Sequence, residues 1–111
     1  MLKRSQAKYQ DLYIGLVRVH VLHHAAKERT FGLGMIEELG WHGYSLGPGT
    51  MYPLLHSMER RGWLKAQTLV ISGKRRKCYT ATRAGKAALK EAVGRVRELF
   101  EEISEAKMRP E

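Results

Sequence analysis

Apolar residues recur at helical spacing in four stretches of the chain. In the first, residues 9 to 27, they surround most of the predicted helix, which is typical of a helix that is shared between a core and a partner. In the third, they fall at i, i+3, i+4 and i+7, which is one face of a helix. This apolar stripe comprises Met51, Leu54, Leu55 and Met58.

The second stretch predicts a shorter helix over residues 32 to 39. We expect Met35, Ile36 and Leu39 to face inward. Glu37 and Glu38 are expected to face solvent, since they lie between the apolar positions.

Pro53 constrains the start of the third helix. Proline has no N–H group and is tolerated in the first helical turn, where that donor has no partner within the helix. We therefore expect Thr50 to be the N-cap and Gly62 to end the helix. The residues that lie off the apolar stripe are Thr50, Tyr52, Pro53, His56 and Ser57.

After Gly62 the pattern changes from helical to extended. Residues 64 to 71 and 77 to 81 are predicted strands joined by a turn that opens at Ser72-Gly73. The basic run Lys74-Arg75-Arg76-Lys77 is expected at the end of this hairpin. Three helices, a two-stranded wing and a closing helix predict a mainly α fold with a small β-wing, the winged helix-turn-helix.

The closing helix, predicted to begin after an N-cap at Thr82, carries apolar residues at a seven-residue repeat. One set is Leu89, Val96 and Ile103, and the other is Ala92, Leu99 and Ala106. A single apolar stripe usually packs within its own domain, but a heptad repeat favours a second helix as partner. We therefore predict a dimer interface formed by Leu12, Leu16, Leu89, Val93, Val96, Leu99, Phe100 and Ile103.

The division expected from these patterns is a DNA-binding domain over residues 9–81 and a dimerisation helix over residues 82–107, in one compact unit.

The formal charge is +9, and residues 1 to 81 hold 13 Lys and Arg against 5 Asp and Glu. Such a concentration of positive charge indicates a polyanion partner, and nucleic acid is the leading class. No apolar run approaches the length of a membrane-spanning helix, so we expect a cytoplasmic protein without a membrane partner.

Enzymatic chemistry is not expected from this sequence. Asp11 is the only aspartate, Cys78 is the only cysteine, and no phosphate-binding glycine loop precedes a Lys-Ser or Lys-Thr pair. No cofactor is predicted. His20 and His24 are one helical turn apart, but we predict no metal site, since the sequence places no cysteine or acidic third ligand near them.

The motifs of the third helix and wing occur in a specific order. They are Gly47-Pro48-Gly49-Thr50-Met51-Tyr52-Pro53-Leu54-Leu55-His56, Met58-Glu59, Gly62-Trp63-Leu64, and Gly73-Lys74-Arg75-Arg76-Lys77-Cys78-Tyr79 with Thr82 and Gly85. In these motifs the chain resembles the PadR family of transcriptional regulators, over residues 12 to 100. It departs from the family pattern at Phe31-Gly32-Leu33-Gly34, where similar members tend to have His-Gly-Tyr-Glu.

The resemblance implies a homodimeric regulator, a repressor, that binds double-stranded DNA at an inverted repeat. The third helix would enter the major groove and the wing would contact the backbone. The predicted DNA-binding residues are Thr50, Tyr52, Pro53, His56, Ser57, Lys74, Arg75, Arg76 and Lys77. Because the start of the helix has no Arg or Asn for bidentate reading, we expect modest base discrimination and a larger share from DNA shape.

Family members also respond to phenolic acids or flat hydrophobic drugs, so the resemblance makes a small-molecule effector a candidate partner. Trp41, Trp63, Tyr13 and Phe100 are candidate lining residues, although such aromatics are more often part of a core. The alternative function is a basic winged-helix module that binds nucleic acid, or a protein, without reading sequence.

Overall fold

A computed structural model describes residues 10–105, which form four helices and a small three-stranded sheet. The helices are α1 (Gln10–Lys27), α2 (Gly32–Trp41), α3 (Pro48–Arg60) and α4 (Arg83–Ser104), and the strands are β1 (Thr30–Phe31), β2 (Leu64–Ile71) and β3 (Lys74–Ala81). Three predicted positions lie outside the described residues. They are the start of the first helix at Tyr9, the heptad residue Ala106, and residue 107 at the end of the dimerisation helix. Within residues 10–105, no helix is long and apolar enough to cross a membrane.

The sheet is antiparallel, with the strand order β1-β3-β2. Strands β2 and β3 form the predicted wing, and Ser72 (φ 51°) and Gly73 (φ 77°) close it in the left-handed conformation that tight hairpin turns require. Two details differ from the prediction. The basic residues 74–77 lie along β3, beyond the turn itself. Strand β1 was not predicted, because two residues are too short to give an alternating pattern.

Helix α1 has two apolar faces with different environments. Val17, Val21 and Ala25 are buried in the common core of the protein, whereas Leu12 and Leu16 are exposed. The predicted stripe of α3 is entirely buried in the same core. One side of α3 therefore holds the helix in place, and the opposite side is available for contacts with a partner.

Helix α3 begins earlier than the sequence predicted. Its N-cap is Gly47 and its first residue is Pro48, so that Thr50 lies within the first turn and Pro53 inside the helix. The backbone N–H groups of Thr50 and Met51 both donate to the Gly47 carbonyl. The prediction was wrong because Pro48 already satisfies the preference for proline at the first helical position.

The start of α4 is anchored by the predicted cap. The Thr82 hydroxyl accepts a hydrogen bond from Gly85 N at 2.9 Å and donates one to the Gly62 carbonyl. The backbone N–H of Thr82 also donates to the Trp63 carbonyl at 3.0 Å. This one residue thus links the end of α3 to the beginning of α4.

Replacing Thr82 by Ala should lower the free energy of unfolding by about 1–2 kcal/mol, because Gly85 N and the Gly62 carbonyl both lose a partner. Urea denaturation measures this difference. Thr82→Ser is the matched control, since it keeps the hydroxyl and should retain most of the stability. Equal stabilities of the alanine variant and the parent protein would contradict this role.

Candidate nucleic-acid interface

The outward side of α3 is formed by four of its five predicted DNA-binding residues. Pro53 and His56 are exposed, and Thr50 and Ser57 are half-buried. Thr50 lies in the first turn, where the positive end of the helix dipole favours an anion. This end of α3 can contact a phosphate and a base edge.

Tyr52, the fifth, occupies a different environment. Its ring packs on Gly32, the buried first residue of α2, so closely that a Cβ atom at that position would lie 2.4 Å from a ring carbon. Gly32 therefore allows α2 and α3 to approach each other through the Tyr52 ring. Much of the ring is used in this packing, and a DNA contact from Tyr52 stays a prediction.

The wing presents its basic residues on two faces. Arg75 and Lys77 alternate with Lys74 and Arg76 along β3, as the register of the hairpin requires. Lys77 Nζ lies 3.8 Å from Glu59 Oε1 near the end of α3, and the Arg76 guanidinium lies 5.1 Å from the centroid of the Phe31 ring. The Lys77–Glu59 contact places the basic strand next to the end of α3, and the Arg76 contact joins it to β1.

Arg18 is a basic residue near this surface that was not predicted from the sequence as a DNA-binding residue. It lines a groove between α1 and α3 together with Thr50, Pro53 and Ser57, three predicted DNA-binding residues. A signal was present in the sequence, because Arg18 is the only charged residue between positions 12 and 26. The groove places a guanidinium group next to the first turns of α3.

An apolar surface follows α1 and α4, which pack against each other. It consists of the predicted interface residues, and in the single chain Leu12 is 70%, Phe100 67% and Ile103 69% exposed. Leu16, Val93, Val96 and Leu99 are also exposed, whereas Leu89 is half-buried against the core. Exposed apolar residues on two adjoining helices are typical of a protein–protein interface.

A cluster of histidines lies further along α1, toward the C-terminal end of the helix. His20 and His24 of α1 face His42, which follows α2, and one ligand nitrogen from each histidine lies within 4.8 Å of the others. Glu38 lies beside them instead of facing solvent, with its Oε2 atom 3.3 Å from His42 Nε2 and 3.8 Å from His24 Nε2. The expectation that His20 and His24 have no further ligand nearby is therefore wrong.

Burial shifts the titration of two members of this cluster. It lowers the pKa of His20, with a further contribution from the neighbouring His42 and His24. Burial also lowers the pKa of His24, although the Glu38 carboxylate opposes the shift. Both shifts favour the neutral imidazole, which is the form that has a nitrogen lone pair available.

The candidate effector-binding aromatics lie on different elements. Trp41 ends α2 and is 74% exposed, and Phe100 lies on the apolar surface of α4. Trp63 is half-buried next to the Arg61 guanidinium, and the Tyr13 ring meets Tyr44 edge to face. Tyr13 and Phe100 therefore belong to the two helices that carry the apolar surface.

Comparisons with known proteins agree with this arrangement. Residues 21–91 match the model of the transcriptional regulator PadR-like family. The chain is also 45% identical over 87 residues to the transcriptional regulator Rv3488 of Mycobacterium tuberculosis. The aligned region covers 78% of this chain and 81% of the relative. The chain belongs to the PadR-like family of transcriptional regulators. The predicted family and the predicted absence of an enzymatic role are thereby confirmed.

Solved structures share the fold of this PadR-like regulator. A PadR family transcriptional regulator from Eggerthella lenta superposes with a TM-score of 0.77 at 25% identity, over 90% of this chain and 88% of the other. Bacillus subtilis PadR in complex with operator DNA superposes with a TM-score of 0.62 at 22% identity, over 70% of this chain and 46% of the other. The predicted winged helix-turn-helix is confirmed.

Proposed function

We propose that this PadR-like regulator binds operator DNA as a homodimer and represses transcription. The observation that carries the proposal is the position of α3, which is fixed through one buried stripe while its other side faces outward beside a basic wing. The same fold in Bacillus subtilis PadR, solved with operator DNA, supports DNA as the partner.

In the proposed complex, the N-terminal half of α3 lies in the major groove. The hydroxyl of Thr50 can bond a phosphate or a base edge, and His56 can donate a hydrogen bond to a base. Pro53 and the Thr50 methyl group offer apolar contact to the methyl group of thymine. Because residues 48–57 contain no Arg or Asn, we infer that DNA shape supplies much of the specificity.

Basic side chains on both sides of α3 would hold the DNA backbone. The wing supplies Lys74, Arg75, Arg76 and Lys77, and Arg18 borders the first turns of the helix from α1. Each phosphate that is neutralised releases counterions, which makes such contacts favourable at low salt. Arg18 therefore joins the wing as a proposed phosphate contact.

Dimerisation would pair two such surfaces. The exposed apolar residues of α1 and α4 are the proposed interface, since a second copy would cover them. A two-fold axis would place two α3 helices about one DNA turn, roughly 34 Å, apart. An operator read in this way is an inverted repeat.

We also propose that a small hydrophobic or phenolic effector binds the regulator and releases it from DNA. The protein is proposed to act in the cytoplasm. The aromatic rings of Tyr13 and Phe100 support the proposed effector, because both belong to the helices of the proposed interface. An effector bound there could change the spacing of the two reading helices without touching DNA.

Replacing residues 74–77 of the wing by Ala should weaken binding to every duplex and flatten the salt dependence. Each phosphate contact that is lost should reduce the slope of log K against log salt by about 0.9. Fluorescence anisotropy over a series of salt concentrations measures both effects.

The matched control removes the same charge from α4, by replacing the exposed Arg83, Lys86, Lys90 and Arg97 with Ala. If the proposal is right, this variant retains more affinity and a steeper salt slope than the wing variant. Equal losses in the two variants would mean that net charge, and not the wing, supports binding.

Footprinting on the DNA upstream of the protein's own coding region tests the proposal as a whole. The regulator should protect an inverted repeat at a protein concentration that leaves unrelated duplexes unprotected. The second candidate, a basic module without sequence reading, is favoured by the absence of Arg and Asn in the first turns of α3. It predicts salt-sensitive binding along the whole fragment and no discrete protected segment.

A further inference from the structure

The histidine cluster combines two pairs of residues that are each spaced one helical turn apart. His20 and His24 form the i, i+4 pair of α1, and Glu38 and His42 form the i, i+4 pair at the end of α2. Since residues four positions apart project from the same side of a helix, each pair presents two ligand groups to the other. Two facing helices thus supply three imidazoles and one carboxylate.

We propose that His20, His24, His42 and Glu38 form a binding site for one divalent transition-metal ion of the zinc type. Zinc prefers four ligands in a tetrahedron and is bound by imidazole nitrogen and carboxylate oxygen. Metal sites between the facing helices of bundles are built in the same way. Imidazole also suits copper, nickel and cobalt, so the ligand set defines a class of ions.

The distances between the ligand atoms fit this site after small side-chain rotations. Metal–ligand bonds of about 2.0 Å in a tetrahedron place neighbouring ligand atoms roughly 3.3 Å apart. Glu38 Oε2 is already 3.3 Å from His42 Nε2, and the histidine nitrogens lie within 4.8 Å of each other. We expect side-chain rotation to supply the remaining approach, since His42 is exposed and His20 and His24 are half-buried.

The ring geometry gives a reason for these rotations when a metal binds. The rings of His20 and His42 are stacked with centroids 5.0 Å apart, and those of His20 and His24 with centroids 6.4 Å apart. Stacking leaves their nitrogens side by side, and a cation between them would turn each lone pair inward. The Glu38 carboxylate would offset part of the charge of the ion.

A metal ion at this site would join α1 to the end of α2. Residues 43–47, between His42 and α3, contain Gly43 and Gly47 and connect the site to the reading helix. The ion would therefore restrict the connection that positions α3. The site itself does not depend on the proposed binding of DNA.

Titration of the metal-free protein with Co²⁺ and with Zn²⁺ tests the site. We expect one ion per chain, the visible absorption of four-coordinate Co²⁺, and displacement of Co²⁺ by Zn²⁺. His42→Gln should weaken Zn²⁺ binding by at least about tenfold, which is the effect that loss of a supporting outer-shell partner alone commonly has. It should also reduce the rise in melting temperature that Zn²⁺ gives to the parent protein.

Two further variants separate coordination from general effects. His23→Gln removes an exposed imidazole of α1 that lies outside the three-histidine group, and it should leave Zn²⁺ affinity unchanged. His42→Cys keeps a ligand for zinc and should bind Zn²⁺ more tightly than His42→Gln. Both His42 variants should melt as the parent protein does in the absence of metal, because His42 is exposed.

Three results would overturn the proposal. The first is binding of Co²⁺ without the absorption of a four-coordinate ion. The second is an equal loss of affinity in His23→Gln and His42→Gln, and the third is undiminished Zn²⁺ affinity in His42→Gln. None of these results bears on DNA binding, which is measured separately on the metal-free protein.

Discussion

Replacing Leu99 by Asp is expected to convert the protein into a monomer and to lower its affinity for an inverted-repeat duplex by about 100-fold or more. Leu99 is 52% exposed in the single chain and lies at a heptad position of α4. In a dimer the new carboxylate would be buried against apolar side chains without a partner, which is strongly unfavourable. The fold of the single chain should tolerate it, since the position faces outward.

Sedimentation velocity measures the oligomeric state, and titration with one labelled duplex measures the affinity. Ala87→Asp is the matched control, because it places the same charge on an exposed position of α4 outside the heptad repeat. That variant should stay dimeric. A dimer formed by Leu99→Asp would show that the apolar surface of α4 is not the interface.

The second large effect is expected at Gly85, where α4 crosses the turn between α3 and β2. A Cβ atom at this buried position would lie 2.0 Å from the Trp63 carbonyl oxygen. That oxygen is fixed, because it also accepts the hydrogen bond from Thr82 N. Gly85→Ala should therefore lower the free energy of unfolding by about 3 kcal/mol or more, well beyond the gain in helix propensity of about 1 kcal/mol.

The same helix offers a matched control for this prediction. Nothing lies within 4 Å of a Cβ atom built at Gly94, so Gly94→Ala should stabilise the protein by up to about 1 kcal/mol. Thermal and urea denaturation of the two variants should thus change in opposite directions. If Gly85→Ala left the free energy of unfolding unchanged, the turn at Trp63 would be able to move away from the added Cβ atom, contrary to this prediction.

The sequence predicted those parts of the structure that depend on periodicity and capping. The stripe of α3 is buried as expected, because four apolar residues at helical spacing have one favourable arrangement against a core. Thr82 caps α4 as expected, since its hydroxyl precedes a long amphipathic stretch. Apolar periodicity also led to the prediction of a dimer interface on α1 and α4, and most of its residues are exposed in the single chain.

The parts that were missed depend on contacts between distant segments. Strand β1 has two residues, and it is defined by pairing of Thr30 with Tyr79 and of Phe31 with Cys78. The Tyr52 ring is held by Gly32, twenty positions away. No local pattern contains these contacts.

The histidine cluster illustrates the same difference. His20 and His24 were recognised as a pair on one helix, but Glu38 was assigned to solvent on local spacing alone. The packing of α2 on α1 turns Glu38 and His42 toward that pair. The i, i+4 spacing of Glu38 and His42 is visible in the sequence. The position of α2 relative to α1 is not, and it brings the two pairs together.

Selection of binding sites from a pool of randomised duplexes tests the central claim most directly. If a two-fold dimer reads DNA through α3, the enriched sequences should converge on an inverted repeat with half-site centres about 10 base pairs apart. Enrichment of a single half-site, or a pool that stays random while the protein still binds it, would contradict the account.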